Sequence, residues 1–100
     1  MKAIQYSRFG DRSVLEYLDL PEPAAQHDEV LIDVTASGVN LVDIRERQGV
    51  YQRPDAHVGA DKVLPRISGL QVVGRVRSVG PTGDSSLIGK KVVAVVNSGG

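Results

Sequence analysis

Two strand patterns bounded by glycine, with one short helix pattern between them, constrain this chain more than any other feature. The first strand pattern and the helix lie in ASGVNLVDIRERQGVY, residues Ala36–Tyr51. The second strand pattern is GLQVVGRVRSVG, residues Gly69–Gly80. Between them, Val50–Ser68 has no clear pattern, and so long a loop in a compact domain is usually functional or mobile. Together these features predict one wall of an active-site cleft.

The helix pattern has clear start and stop signals. An N-cap residue, a first-turn acid, two last-turn cations and a C-terminal glycine follow in order: Asn40, Asp43, Arg45, Arg47 and Gly49. A helix of about two turns is too short to be stable alone. We therefore expect it to dock on the strands through Leu41 and Ile44.

Strand patterns dominate the rest of the chain. We predict strands over Lys2–Tyr6, Val14–Leu20, Glu29–Ser37, Leu70–Val79 and Lys91–Val96. The last of these is a nearly continuous apolar run, which is typical of a strand buried on both faces. The glycines Gly69, Gly74 and Gly80 are expected to mark bulges, bends or close backbone approaches. Short strands with many glycines predict a mainly β fold with one short helix, either a small barrel or a sandwich.

Composition excludes several classes of protein. The 100 residues suit one small domain. The charges balance at 12 basic and 12 acidic residues, which argues against a nucleic-acid partner. No apolar run approaches the ~20 residues of a membrane span, and the start has no signal-peptide pattern. The absence of cysteine excludes disulfides and thiolate chemistry. We expect a cytoplasmic protein.

The order of motifs along nearly the whole chain resembles the N-terminal, GroES-like catalytic domain of the medium-chain dehydrogenase/reductase family. The motifs are MKAIQYSRFG, LPEPAAQHDEVLIDVTASGVN, VNLVDIRERQGVY, LPRISGLQVVGRVRSVG and LIGKKVVAVV. They are most similar to the zinc-independent quinone oxidoreductase branch, the zeta-crystallin type. The resemblance implies a partly open β-barrel over residues 1–100 that forms the substrate side of a reductase. It also implies a homodimeric full-length protein that transfers hydride from NADPH to a quinone or an activated alkene carbonyl.

In the family a Rossmann domain follows this barrel and binds most of the cofactor. Gly69, Gly74 and Gly80 do not form its GxGxxG fingerprint. The chain is therefore expected to be a fragment that is inactive alone. No metal is expected, because Asn40, Leu70 and Gln71 stand where the zinc branch has its cysteine and its Gly-His-Glu motif.

Four residues are candidates for the site. The resemblance implies that Asn40 and Asp43 lie beside the nicotinamide and its ribose, although both also fit a purely structural role in starting the helix. Tyr51 either lines the substrate cleft or pins its own loop. Arg45 stands where the branch often has an aromatic substrate contact, and otherwise it is a solvated last-turn cation. Gln71 is interpreted as structural, and no catalytic residue is assigned, because the cofactor supplies the hydride.

Two other functions stay open. A stand-alone GroES-type binding module of the co-chaperonin kind fits the length, but a regular strand lies where such a protein needs its flexible loop. The second alternative is a non-enzymatic relative of the reductases that binds a partner through the barrel. For a barrel without its partner domain, we also expect an exposed apolar patch larger than a normal monomer shows.

Overall fold

The computed structural model describes residues 1–50 and 64–96. Its elements in chain order are β1 (Lys2–Tyr6), β2 (Glu16–Asp19), β3 (Val30–Gly38), α1 (Leu41–Gln48), β4 (Arg66–Ile67), β5 (Gln71–Val79) and β6 (Lys91–Val95). The strands form two antiparallel sheets with strand orders β2-β1-β4 and β3-β5-β6. The sheets do not close on each other, so the predicted mainly β, partly open architecture is confirmed.

The core lies on strands β1 and β5 and on the segments just before β2 and β5. The buried apolar side chains among the described residues are Tyr6, Val14, Leu70 and Val76. Val14 belongs to a 3-10 turn, Arg12–Val14, that Asp11 caps by accepting a hydrogen bond from the Ser13 N–H at 2.9 Å. Strand β2 therefore begins at Glu16, two residues later than predicted.

A short strand was missed in the segment without a clear pattern. Arg66 and Ile67 form β4 and pair with β1, so that Arg66 lies opposite Tyr6. Two residues give too little alternation to be detected from the sequence. This pairing brings the start of β5 close to the end of β1.

Gly74 confirms the expected close backbone approach in the second sheet. A Cβ atom at this position would lie 2.1 Å from the main-chain oxygen of Asp33 on β3. The β3–β5 ladder shifts register on either side of Asp33, between Leu31 and Ile32 and between Val34 and Ala36. The absence of a side chain at Gly74 lets the irregular part of β3 lie against β5.

The prediction that the last strand is buried on both faces is wrong. Within residues 1–50 and 64–96, strand β6 pairs with β5 alone and forms an edge of its sheet. Its side chains alternate, and Val93 and Val95 are 78% and 69% exposed. A continuous apolar run does not reveal whether a strand is central or at an edge, because that depends on which strands pair with it.

The predicted docking face of the helix is also wrong, although its position is right. α1 spans Leu41–Gln48, with Asn40 before it and Gly49 in the left-handed conformation after it. Leu41 and Ile44 are 60% and 39% exposed, whereas Asp43 and Glu46 are buried. The helix turns an acidic face to the barrel, where Glu46 forms an ion pair with Arg66 of β4.

Candidate functional site

A cavity of about 220 Å³ lies where both sheets meet the start of α1. Its lining comes from the middle of β1, the end of β3, the first turn of α1, and the start of β5 with the residues just before it. The lining residues are Ile4, Ser37, Gly38, Val39, Asp43, Ser68, Gly69, Gln71 and Val72. We refer to this cavity as the cleft.

Asp43 and Asn40 form a capping box at the start of α1. The Asn40 N–H donates to Oδ2 of Asp43 at 2.8 Å, and the Asp43 N–H donates to the main-chain oxygen of Asn40 at 3.1 Å. The second carboxylate oxygen of Asp43, Oδ1, is buried and has no hydrogen-bond partner among the residues that the structure describes. Because a buried acceptor without a partner is costly, this oxygen suits a ligand that brings a hydroxyl or amide donor.

Asn40 also connects α1 to the start of β5. Its Nδ2 donates to Oε1 of Gln71 at 3.0 Å. Gln71 lies opposite Gly38 in the β3–β5 ladder, and a Cβ atom at Gly38 would lie only 2.7 Å from the same Oε1. The missing side chain at Gly38 leaves the room in which the two amides meet.

A second layer of polar side chains lies beneath α1. Nη2 of Arg66 on β4 is 3.8 Å from Oε2 of Glu46, and both side chains are over 90% buried. Tyr6 is 2% exposed and lies beside Arg66 in the first sheet. Burial raises the pKa of the Tyr6 phenol, while the nearby Arg66 charge acts in the opposite direction. This layer fixes the side of α1 that carries Asp43.

The structure brings two of the four predicted site residues to the cleft. Asp43 lines it, and Asn40 lies next to it through Gln71 and Asp43. Arg45 is exposed on α1 and is not among the lining residues. Tyr51 lies outside the described residues, so its role stays a prediction.

Sequence reasoning assigned Gln71 a structural role, and its contact with Asn40 at the cleft was not foreseen. The contact between Asn40 and Gln71 could have been predicted only from the register in which β3 pairs with β5. Gly38 and Gln71 are opposite each other in that ladder, and Asn40 follows Gly38 by two residues. Single residue types do not carry this information, because it depends on the register between two strands.

Two features are absent from the residues that the structure describes. Residues 1–50 and 64–96 contain no group of three His, Cys, Asp or Glu side chains that could hold a metal ion. In the same ranges no helix is long and apolar enough to cross a membrane.

Comparison with protein families gives a match to the alcohol dehydrogenase GroES-like domain over residues 26–99. This chain belongs to that family. The match confirms the resemblance to the N-terminal domain of medium-chain dehydrogenases/reductases, and it agrees with the partly open barrel described above.

Relatives and solved structures agree with the predicted branch. A quinone oxidoreductase of Lama guanicoe is 40% identical over 81 residues, which are 80% of this chain and 22% of that protein. A chloroplastic NADPH-dependent alkenal/one oxidoreductase of Arabidopsis thaliana is 35% identical over 98 residues, 97% of this chain and 24% of that protein. A mycobacterial protein solved with NADPH has a TM-score of 0.79 and 37% identity, over 99% of this chain and 28% of that one. The chain thus spans about a quarter of the length of these relatives.

Proposed function

We propose that this chain is the substrate-side domain of a zinc-independent, NADPH-dependent oxidoreductase that reduces quinones or α,β-unsaturated carbonyl compounds. The support is the combination of a cleft in the barrel, lined by apolar residues and a few polar side chains, with relatives named for quinone and alkenal reduction. Relatives about four times longer have room for the dinucleotide-binding domain that the proposal requires. The observation that carries the proposal is the buried, unpartnered Oδ1 of Asp43 at the cleft.

The residues at the cleft fit one end of a nicotinamide nucleotide. The nicotinamide carboxamide and the ribose hydroxyls are hydrogen-bond donors, and Oδ1 of Asp43 is an acceptor without a partner. Asn40 is held beside it by contacts to both α1 and β5. We assign Asn40 and Asp43 to this end of the cofactor, which supplies the hydride when it is bound.

The barrel contributes binding, orientation and exclusion of water. Apolar side chains and glycines make up much of the cleft lining, which suits the ring or alkene of a small-molecule substrate. Tyr51 and Arg45 are the proposed substrate contacts from the segment that follows Asp43. No acid or base is assigned to the chemistry.

We further propose that the complete protein is a cytoplasmic homodimer and that residues 1–100 alone are inactive. The missing activity follows from the proposed division of labour, in which most cofactor contacts come from the dinucleotide-binding domain. The partners are then a carbonyl or quinone substrate and that downstream domain, with no nucleic acid and no membrane.

The test compares residues 1–100 with the protein extended through its downstream dinucleotide-binding domain. We expect NADPH binding and NADPH-dependent reduction of an enone and a quinone in the extended protein, and neither in the short chain. Asn40→Ala and Tyr51→Phe in the extended protein should each weaken turnover. If the extended protein binds no NADPH, the barrel is an interaction module, and a heptameric mass of residues 1–100 would then identify the co-chaperonin type.

A further inference from the structure

We propose that Gln71 donates a hydrogen bond to the carbonyl oxygen of the substrate, and that Asn40 fixes the Gln71 side chain for this task. The inference rests on the proposed function and adds a residue to it. It assigns the substrate's carbonyl to the Gln71 side of the cleft, at the start of β5.

The two ends of the Gln71 amide have different surroundings. Its oxygen accepts the hydrogen bond from Nδ2 of Asn40 at 3.0 Å. Its nitrogen, Nε2, has no hydrogen-bond partner in the part of the chain that the structure describes. Since Gln71 lines the cleft and its acceptor is committed, it can offer a ligand there two N–H donors.

The orientation of the Gln71 amide is constrained by its neighbours. Two main-chain bonds fix the backbone of Asn40, since its N–H donates to Asp43 and its main-chain oxygen accepts from the Asp43 N–H. The Asn40 side chain is held by its bond to Gln71. Gly38 leaves space for the Gln71 oxygen, where a methyl group would come within 2.7 Å. The Gln71 amide is therefore oriented with its oxygen toward Asn40 and its nitrogen away from it.

The charges along the cleft favour the same arrangement. A carboxylate accepts hydrogen bonds and repels an electron-rich oxygen, so the Asp43 side suits the donor groups of the cofactor. The side formed by Gln71 suits an acceptor. A carbonyl compound that lies beside the nicotinamide would thus direct its oxygen to Gln71.

The chemistry gives this donor a catalytic effect. When an α,β-unsaturated carbonyl is reduced, the transferred hydride forms a C–H bond at the β-carbon, and the π pair of the alkene shifts toward the carbonyl oxygen. A solvent proton then completes the α-carbon, and the net result is a two-electron reduction of the alkene as NADPH is oxidised. The oxygen gains negative charge in the transition state, so a donor already in place lowers the barrier.

The test uses Gln71→Leu and Gln71→Glu in the extended protein, with steady-state kinetics on an enone and a quinone. Gln71→Leu removes the donor, and we expect kcat to fall on the order of tenfold while KM for NADPH stays within about twofold. Gln71→Glu keeps an acceptor for Asn40 but has no donor and adds a negative charge. At pH 8 its kcat should be lower than that of Gln71→Leu, and it should rise as the pH is lowered and the introduced carboxyl group becomes protonated.

The controls are Gln48→Leu and Gln48→Glu, which make the same changes at an exposed position on α1 away from the cleft lining. Both should leave kcat and its pH profile unchanged. Wild-type turnover in Gln71→Glu with a loss in Gln71→Leu would show that residue 71 acts as an acceptor for Asn40, and it would overturn the proposal. Unchanged turnover in both variants would also overturn it. If the unsubstituted extended protein reduces neither substrate, the proposed function itself fails, and the role of Gln71 fails with it.

Discussion

Nη2 of Arg66 lies 3.8 Å from Oε2 of Glu46, and this buried ion pair holds the underside of α1 against the first sheet. Glu46 is one helical turn beyond Asp43, so both acids face the barrel. The pair thus fixes the rotation of the helix that presents Asp43 to the cleft. An apolar contact would be less directional in this role.

Removing one member of the pair should be strongly destabilising. Arg66→Met leaves the Glu46 carboxylate buried without its cation, and we expect a loss of about 3–5 kcal/mol in the free energy of unfolding. The double variant Glu46→Leu/Arg66→Met should recover most of that loss, because two apolar side chains leave no buried charge. Urea unfolding of the unsubstituted protein and these two variants measures this. Arg45→Met, at an exposed position on the same helix, is the matched control and should change stability by less than about 0.5 kcal/mol. Equal effects of Arg45→Met and Arg66→Met would contradict the role of the pair.

A methyl group at Gly74 should disturb the second sheet. Its Cβ would lie 2.1 Å from the main-chain oxygen of Asp33, and the backbone there cannot move without breaking the ladder. We expect Gly74→Ala to cost at least about 2 kcal/mol, as overpacked sites do. Gly38→Ala is the comparison, because its Cβ would meet the end of the Gln71 side chain, which can rotate away. Gly38→Ala should cost less than about 1 kcal/mol while it displaces Gln71, which NMR shifts of the side-chain amides would detect.

Stability should decline when the pH falls below about 4. The pKa values of Asp11 and Asp84 are lowered from 3.8, mainly by hydrogen bonds from the side chains of Ser13 and Ser86, and that of Asp19 by its bonds to Lys2 and the terminal ammonium group. A carboxylate with a lowered pKa in the folded state stabilises the protein above its unfolded pKa, and this contribution is lost as the pH falls through the folded pKa. Urea unfolding between pH 5 and pH 2 should show this decline. Asp84→Asn should make the decline shallower, and an unchanged pH profile in this variant would contradict the assignment.

The exposed apolar face of β6 should bind a hydrophobic dye. Val93 and Val95 point to the same side of the strand, and both are largely exposed. We expect residues 1–100 to enhance dye fluorescence more than ordinary monomeric domains do, as predicted for a barrel without its partner domain. The variant Val93→Thr/Val95→Thr keeps β-branched side chains and should reduce the signal. A signal as low as that of ordinary monomeric domains before substitution would argue against the exposed patch.

The sequence predicted the bounds of α1 but not the face it buries. Capping depends on residues close in the chain, so Asn40, Asp43 and Gly49 were enough to place the helix. The buried face depends on Arg66, which is 20 positions beyond Glu46 and belongs to a strand too short to predict. Leu41 and Ile44 were expected to be buried because apolar side chains usually are, but here polar partners decided the packing.

At the cleft too, contacts between residues close in the chain were predicted and contacts between distant residues were not. Asn40 and Asp43 were predicted from local spacing and a family resemblance, and they are indeed neighbours at its edge. The contact between Asn40 and Gln71 joins residues 31 positions apart through the β3–β5 register. Register is a property of two strands together, so it could not be derived from either strand alone.

The ion pair under α1 also limits how relatives of this protein can be recombined. A chimera that takes Leu41–Gln48 from this chain and strand β4 from a relative without arginine at position 66 would remove the cation that pairs with Glu46. Such a hybrid would keep the helix sequence but lose the ion pair that holds the helix against the first sheet. The helix and the short strand β4 must therefore come from the same parent, although a stretch of 17 residues, 49–65, separates them in the chain.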